Sequence, residues 1–85
     1  MVNVEQIVME SYKKVLDASG STITPSLDAV IGRNSGLDSL GLVNLMIEIE
    51  EALDITLETV LTEIRQSQKL SEIVPLVLRV LEVRQ

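Results

Sequence analysis

Apolar residues recur along this chain at three- and four-residue spacing in four segments, and no alternating pattern of the kind that marks a strand competes with them. Over residues 2–17, Val4, Ile7, Val8, Ser11, Tyr12 and Val15 fall on one helical face, and Gly20, in the run Ser19-Gly20-Ser21, stops the segment. A second helix is predicted over 39–53, with Leu42, Leu45, Met46, Ile49 and Leu53 as its core stripe. Leu40, Val43 and Ile47 form another row on the same helix, turned toward solvent. A small bundle requires only one apolar stripe per helix, so this second row calls for an explanation. A short third helix over 58–65 turns Leu61 and Ile64 inward, and the polar stretch 65–69 follows it. The last helix, over 71–83, is apolar on most sides; Ser71 is its candidate cap, and Pro75, lacking an N–H, fits its first turn.

Residues 19–38 have no strong period and are punctuated by Pro25, Gly32 and Gly36, with Leu27, Val30 and Ile31 offering one short helical turn as an anchor. A connection this long in so small a domain has a functional reason or packs as a unit. The expected fold is all-α: a single domain over 1–85, a four-helix bundle of three longer helices and a short third, with a long loop between helices 1 and 2.

Composition narrows the chemistry. The chain has 85 residues and is 46% hydrophobic, yet Tyr12 is its one aromatic, so the core is built from thirteen Leu, eleven Val and eight Ile. With no Cys and no His there is no disulfide, no thiolate or imidazole metal ligand and no Ser-His or Cys-His pair. No metal site and no catalytic residues are expected; the carboxylates are spaced as an exposed face rather than a closed pair. Net charge is −6, and residues 34–64 hold seven acids (Asp38, Glu48, Glu50, Glu51, Asp54, Glu58 and Glu63) with no Lys or Arg. The acidic object is one segment, which implies a partner with a basic patch and argues against nucleic acid. No run approaches the roughly 20 apolar residues of a membrane span, and no secretory signal is evident, so a cytoplasmic location is expected.

The informative residues are Gly36-Leu37-Asp38-Ser39-Leu40, where the long loop meets the second helix. A serine at a helix start faces unpaired backbone N–H groups and the positive end of the helix dipole, so an anion on its oxygen is stabilised there. Asp38 can accept from first-turn N–H groups, and Gly36 eases the turn before it. Nothing in the chain is suited to activate the hydroxyl, which therefore reads as the substrate of another enzyme.

Asp38-Ser39-Leu40, followed by an amphipathic helix ending Glu48-Ile49-Glu50-Glu51, resembles the acyl carrier proteins, whose signature is an Asp-Ser-Leu triplet opening the second helix of a small acidic bundle. The resemblance covers the whole chain. It implies that Ser39 receives 4′-phosphopantetheine from coenzyme A through a separate phosphopantetheinyl transferase, with Asp38 and Leu40 beside the attachment point. It further implies that Leu40, Val43 and Ile47 dock on partner enzymes and that Glu50 and Glu51 meet basic residues of those partners. Leu45, Met46, Ile49, Leu57, Leu61 and Ile64 match the family's acyl chamber. The implied partners are acyl-transferring, ligating or condensing enzymes, served by a monomer. Gly41 and Asn44 stand where fatty-acid-synthesis carriers have acids, which points to a specialised pathway. An aminoacyl or peptidyl carrier and an unmodified acidic helical adaptor are the alternative readings.

Self-repulsion among seven clustered acids predicts that added salt raises the melting midpoint. Thermal unfolding followed by circular dichroism at low and high ionic strength checks this; coincident curves would contradict it.

Overall fold

The computed structural model of the chain describes residues 3–20, 22–32 and 37–84. Four helices follow one another: α1 (Val4–Ala18), α2 (Ser39–Leu53), α3 (Leu61–Gln66) and α4 (Ile73–Arg84). Single 3₁₀ turns, Glu58–Val60 and Leu70–Glu72, lead into α3 and α4. No strand forms among the described residues, and the Cα radius of gyration is 11.8 Å, close to the ~12 Å of a closed domain of this length.

Asn3 starts α1 by accepting the Gln6 N–H at 3.1 Å. Val4, Val8, Ser11, Tyr12, Val15 and Leu16 are buried along one face, against α2 and, to a lesser extent, α4. The helix ends where Gly20 takes a positive φ of 73°, a conformation that costs glycine little. Residue 2, included in the predicted helix, lies outside the described residues, as does the turn role assigned to Gly36. At the other end of the bundle the core closes on Leu45, Ile49, Leu57, Ile64, Leu70, Ile73 and Val77, all shielded from solvent. The polyaliphatic core expected from composition is the core observed, with Tyr12 as its aromatic member.

The connection between α1 and α2 differs from expectation. Leu27 lies in a single hydrogen-bonded turn, closed by the Ala29 N–H on the Ser26 carbonyl (3.1 Å), but Val30 and Ile31 do not continue it as a helix, and Val30 is exposed. The segment lies beside the joint between α3 and α4. The Ile31 N–H donates to the Gln68 carbonyl (2.8 Å), Leu70 N–H to Ala29 (2.9 Å) and Ser71 N–H to Leu27 (2.8 Å). Two stretches without helical period thus satisfy each other's backbone groups, as buried or half-buried backbone must. The Glu72 carboxylate braces the same joint, accepting the N–H groups of Gln68 (2.8 Å) and Lys69 (2.7 Å). Ser71, the candidate cap of α4, is instead part of this seam through its backbone. Pro75 occupies the first turn of α4, where its missing N–H costs no hydrogen bond.

Burial raises the Tyr12 phenol above its ordinary pKa of 10.0, because the interior disfavours the phenolate. The folded chain then keeps a proton that the unfolded chain releases, so this stabilisation is complete below about pH 10 and is lost as pH rises beyond it. An alkaline titration should show tyrosinate absorbance emerging above the pH of free tyrosine and together with loss of helix. Tyrosinate formed at the ordinary pH in a fully helical protein would contradict this.

Candidate functional site

The start of α2 is fixed by Asp38. Its backbone is extended (φ −74°, ψ −172°), its Oδ1 accepts the Gly41 N–H at 2.8 Å, and its carbonyl accepts the Leu42 N–H at 2.8 Å. Ser39 follows as the first helical residue, is exposed, and its hydroxyl has no hydrogen-bond partner among the described residues. The first turn of α2 holds no acid, so an anion on the Ser39 oxygen would meet the positive helix end without a like charge inside that turn. The one neighbouring carboxylate, Asp38, is committed to the backbone. The hydroxyl is presented but not activated.

Ser39 stands on the rim of a cleft of about 780 Å³ between α2, the α1–α2 connection and α3. Its apolar walls come from Leu42, Val43 and Met46 of α2, Ile31 and Leu37 of the connection, and Leu61 of α3; Arg65 and Ser67 add a polar end. The six residues matched to an acyl chamber are therefore divided. Met46 and Leu61 face the cleft, whereas Leu45, Ile49, Leu57 and Ile64 are fully buried in the closed core. Ile31, Leu37, Leu42 and Arg65 join the cleft without having been assigned to it from the sequence. Arg65 was legible only as part of a polar joint, and Ile31 only as an anchor.

On the solvent side of α2 the second apolar row is open: Leu40 is 69% exposed, Val43 46% and Ile47 44%. The acids that follow it have unequal surroundings. Glu48 pairs with Lys14 of α1 at 3.7 Å, an exposed contact worth at most about 1 kcal/mol. Glu50 is half-buried, and its Oε2 accepts the Leu57 N–H at 2.7 Å, tying down the chain where it leaves α2. That exit also needs Asp54 at a positive φ of 53°, a conformation costing a side-chain-bearing residue roughly 1–2 kcal/mol. Glu51 is exposed and has no ion-pair or hydrogen-bond partner among the described residues. Gly41, whose N–H meets the Asp38 carboxylate, is buried.

A second, mainly apolar groove of about 570 Å³ lies at the far end of α2, lined by Ile55, Val60, Val80 and Val83 with Arg79, which pairs with Glu63 at 3.8 Å. The first cleft lies along the first half of the roughly 22 Å α2 helix and the second beyond its last residue. Among the described residues no cluster of three or more acids forms a metal-ligand set, and no helix is long and apolar enough to cross a membrane. Comparison with family models, curated proteins and solved structures returns no significant match for this chain.

The two neighbouring glutamates should separate in a stability measurement. Glu50→Ala strands the Leu57 N–H and is expected to cost about 1–2 kcal/mol, whereas Glu51→Ala should fall within about 0.5 kcal/mol of the parent. Urea unfolding of the two variants checks this; equal losses would remove the assigned role of Glu50.

Proposed function

We propose that the chain is an acyl carrier protein, bearing acyl intermediates as thioesters on a 4′-phosphopantetheine arm attached to Ser39. The observation that carries this reading is the Ser39 hydroxyl itself: exposed, without a partner among the described residues, at a capped helix start and on the rim of an apolar cleft. The arm suits this site, because its phosphate would meet the positive helix end and its apolar cargo has walls to lie against. When bound, the arm supplies the thiol that a Cys-free chain lacks. The protein's own residues do the remaining work. Asp38 holds the first turn rigid, so that Ser39 is delivered at a fixed place. Leu42, Met46 and Leu61 offer an apolar wall to the cargo. The exposed Leu40-Val43-Ile47 row offers the matching surface to partner enzymes.

Of the three acids at the end of α2, Glu51 has no partner among the described residues and can meet a basic partner, while Glu50 primarily holds the turn after α2. Charge-led docking of this kind gives fast association with weak affinity, and tethering raises the local concentration of cargo at each partner. The partners in this reading are a phosphopantetheinyl transferase, with its own Mg²⁺, and acyl-transferring, ligating or condensing enzymes of a specialised pathway in the cytoplasm. The carrier acts as a monomer and performs no catalysis itself.

Intact-protein mass spectrometry after incubation with coenzyme A, Mg²⁺ and a broad-specificity transferase tests the reading. The parent should gain the mass of one phosphopantetheine, and Ser39→Ala, with unchanged helix content, should gain none. Loading that survives Ser39→Ala would refute the assignment. An unmodified mass, both here and in protein isolated from its own cells, would favour the acidic adaptor.

A further inference from the structure

The Ser39 cleft is apolar along most of its wall and lies inside an acidic segment, yet it contains a cation. Arg65, near the end of α3, lines the same cleft as Ser39 and is the only basic residue to do so among the described residues. It is exposed and has no ion pair or hydrogen bond with any described residue. The chain has thirteen acids, and Asp38 lines the same cleft, but Asp38 is engaged with the Gly41 N–H and forms no ion pair with Arg65. A guanidinium with no partner among the described residues, lining the same apolar cleft as a presented hydroxyl, is suited to an oxyanion carried on that hydroxyl, because its planar donors match phosphate and carboxylate alike.

We infer that Arg65 binds the anionic group of whatever is esterified to Ser39, an inference that rests on the carrier reading. The anion has two possible sources: the phosphodiester next to the serine oxygen, or a carboxylate at the far end of an acidic cargo. Both would lie over the cleft, and the helix end and Arg65 would hold the charge from two sides.

The experiment compares apo, holo, acetyl-loaded and malonyl-loaded forms of the parent with the same forms of Arg65→Gln and Arg65→Lys. Mass spectrometry first verifies that Ser39 is loaded in each. The expected result is a melting midpoint raised by about 2–5 °C in the holo parent over the apo parent at low salt. That gain should be absent in Arg65→Gln, partly restored in Arg65→Lys, and reduced in concentrated salt. The ³¹P resonance of the holo form should shift between the parent and Arg65→Gln. A gain seen only with malonyl, and no ³¹P shift, assigns the cargo carboxylate as the anion; a gain common to all loaded forms assigns the phosphodiester. Equal gains in the parent and Arg65→Gln, with an unmoved ³¹P resonance, would overturn the inference while leaving the carrier reading intact. Failure of Ser39 to load, together with an unmodified mass in protein isolated from its own cells, would overturn both.

Discussion

The hydrogen bond from the Gly41 N–H to the Asp38 carboxylate fixes where α2 begins, and the surroundings of Ser39 depend on that start. Each residue of an α-helix advances about 100° around the axis, so Leu42, Leu45 and Ile49 share the buried face while Leu40, Val43 and Ile47 share the exposed one. The cap therefore does more than start the helix. It makes the adjacent Ser39 the first helical residue, at the rim of the cleft.

The acidic stretch is better understood as several separate devices than as one charged face. Glu48, Glu50 and Glu51 crowd the carboxyl end of α2, where the helix dipole is unfavourable to negative charge, and no basic residue occupies that last turn. Part of the cost is offset locally: Lys14 neutralises Glu48, and the Leu57 N–H is satisfied by Glu50. Glu51 has no such compensation from the described residues. In the proposed carrier reading, a partner's cation at Glu51 would gain what the fold has forgone.

Much of the architecture could be read from residue order because it rests on local rules. The span of α2 follows from Asp38 at the cap and the apolar period after it, and the observed helix begins and ends where that period does. The closed core follows from aliphatic spacing alone. What could not be read was long-range. The course of residues 27–31 depends on pairing with 68–71, some forty positions away, and neither segment has a strand-like alternation to announce it. The cleft was only half legible for the same reason. Met46 lies on a helix whose faces can be assigned, whereas Ile31, Leu37 and Arg65 reach the cleft through tertiary contacts. The distinct duties of Glu50 and Glu51 were likewise invisible, because adjacent identical residues differ only in what the turn after α2 brings within reach.

The backbone seam between the α1–α2 connection and the α3–α4 joint has a consequence for how a chain of this kind can diverge. Its bonds join main-chain atoms, so they tolerate exchange of side chains as long as Leu70 keeps its apolar site. They do not tolerate a change of count. One residue gained or lost in either segment shifts every later pairing and turns inward positions outward. Drift in this part of the molecule should therefore alter letters far more readily than lengths, and an insertion in one segment should survive only with a matching adjustment in the other.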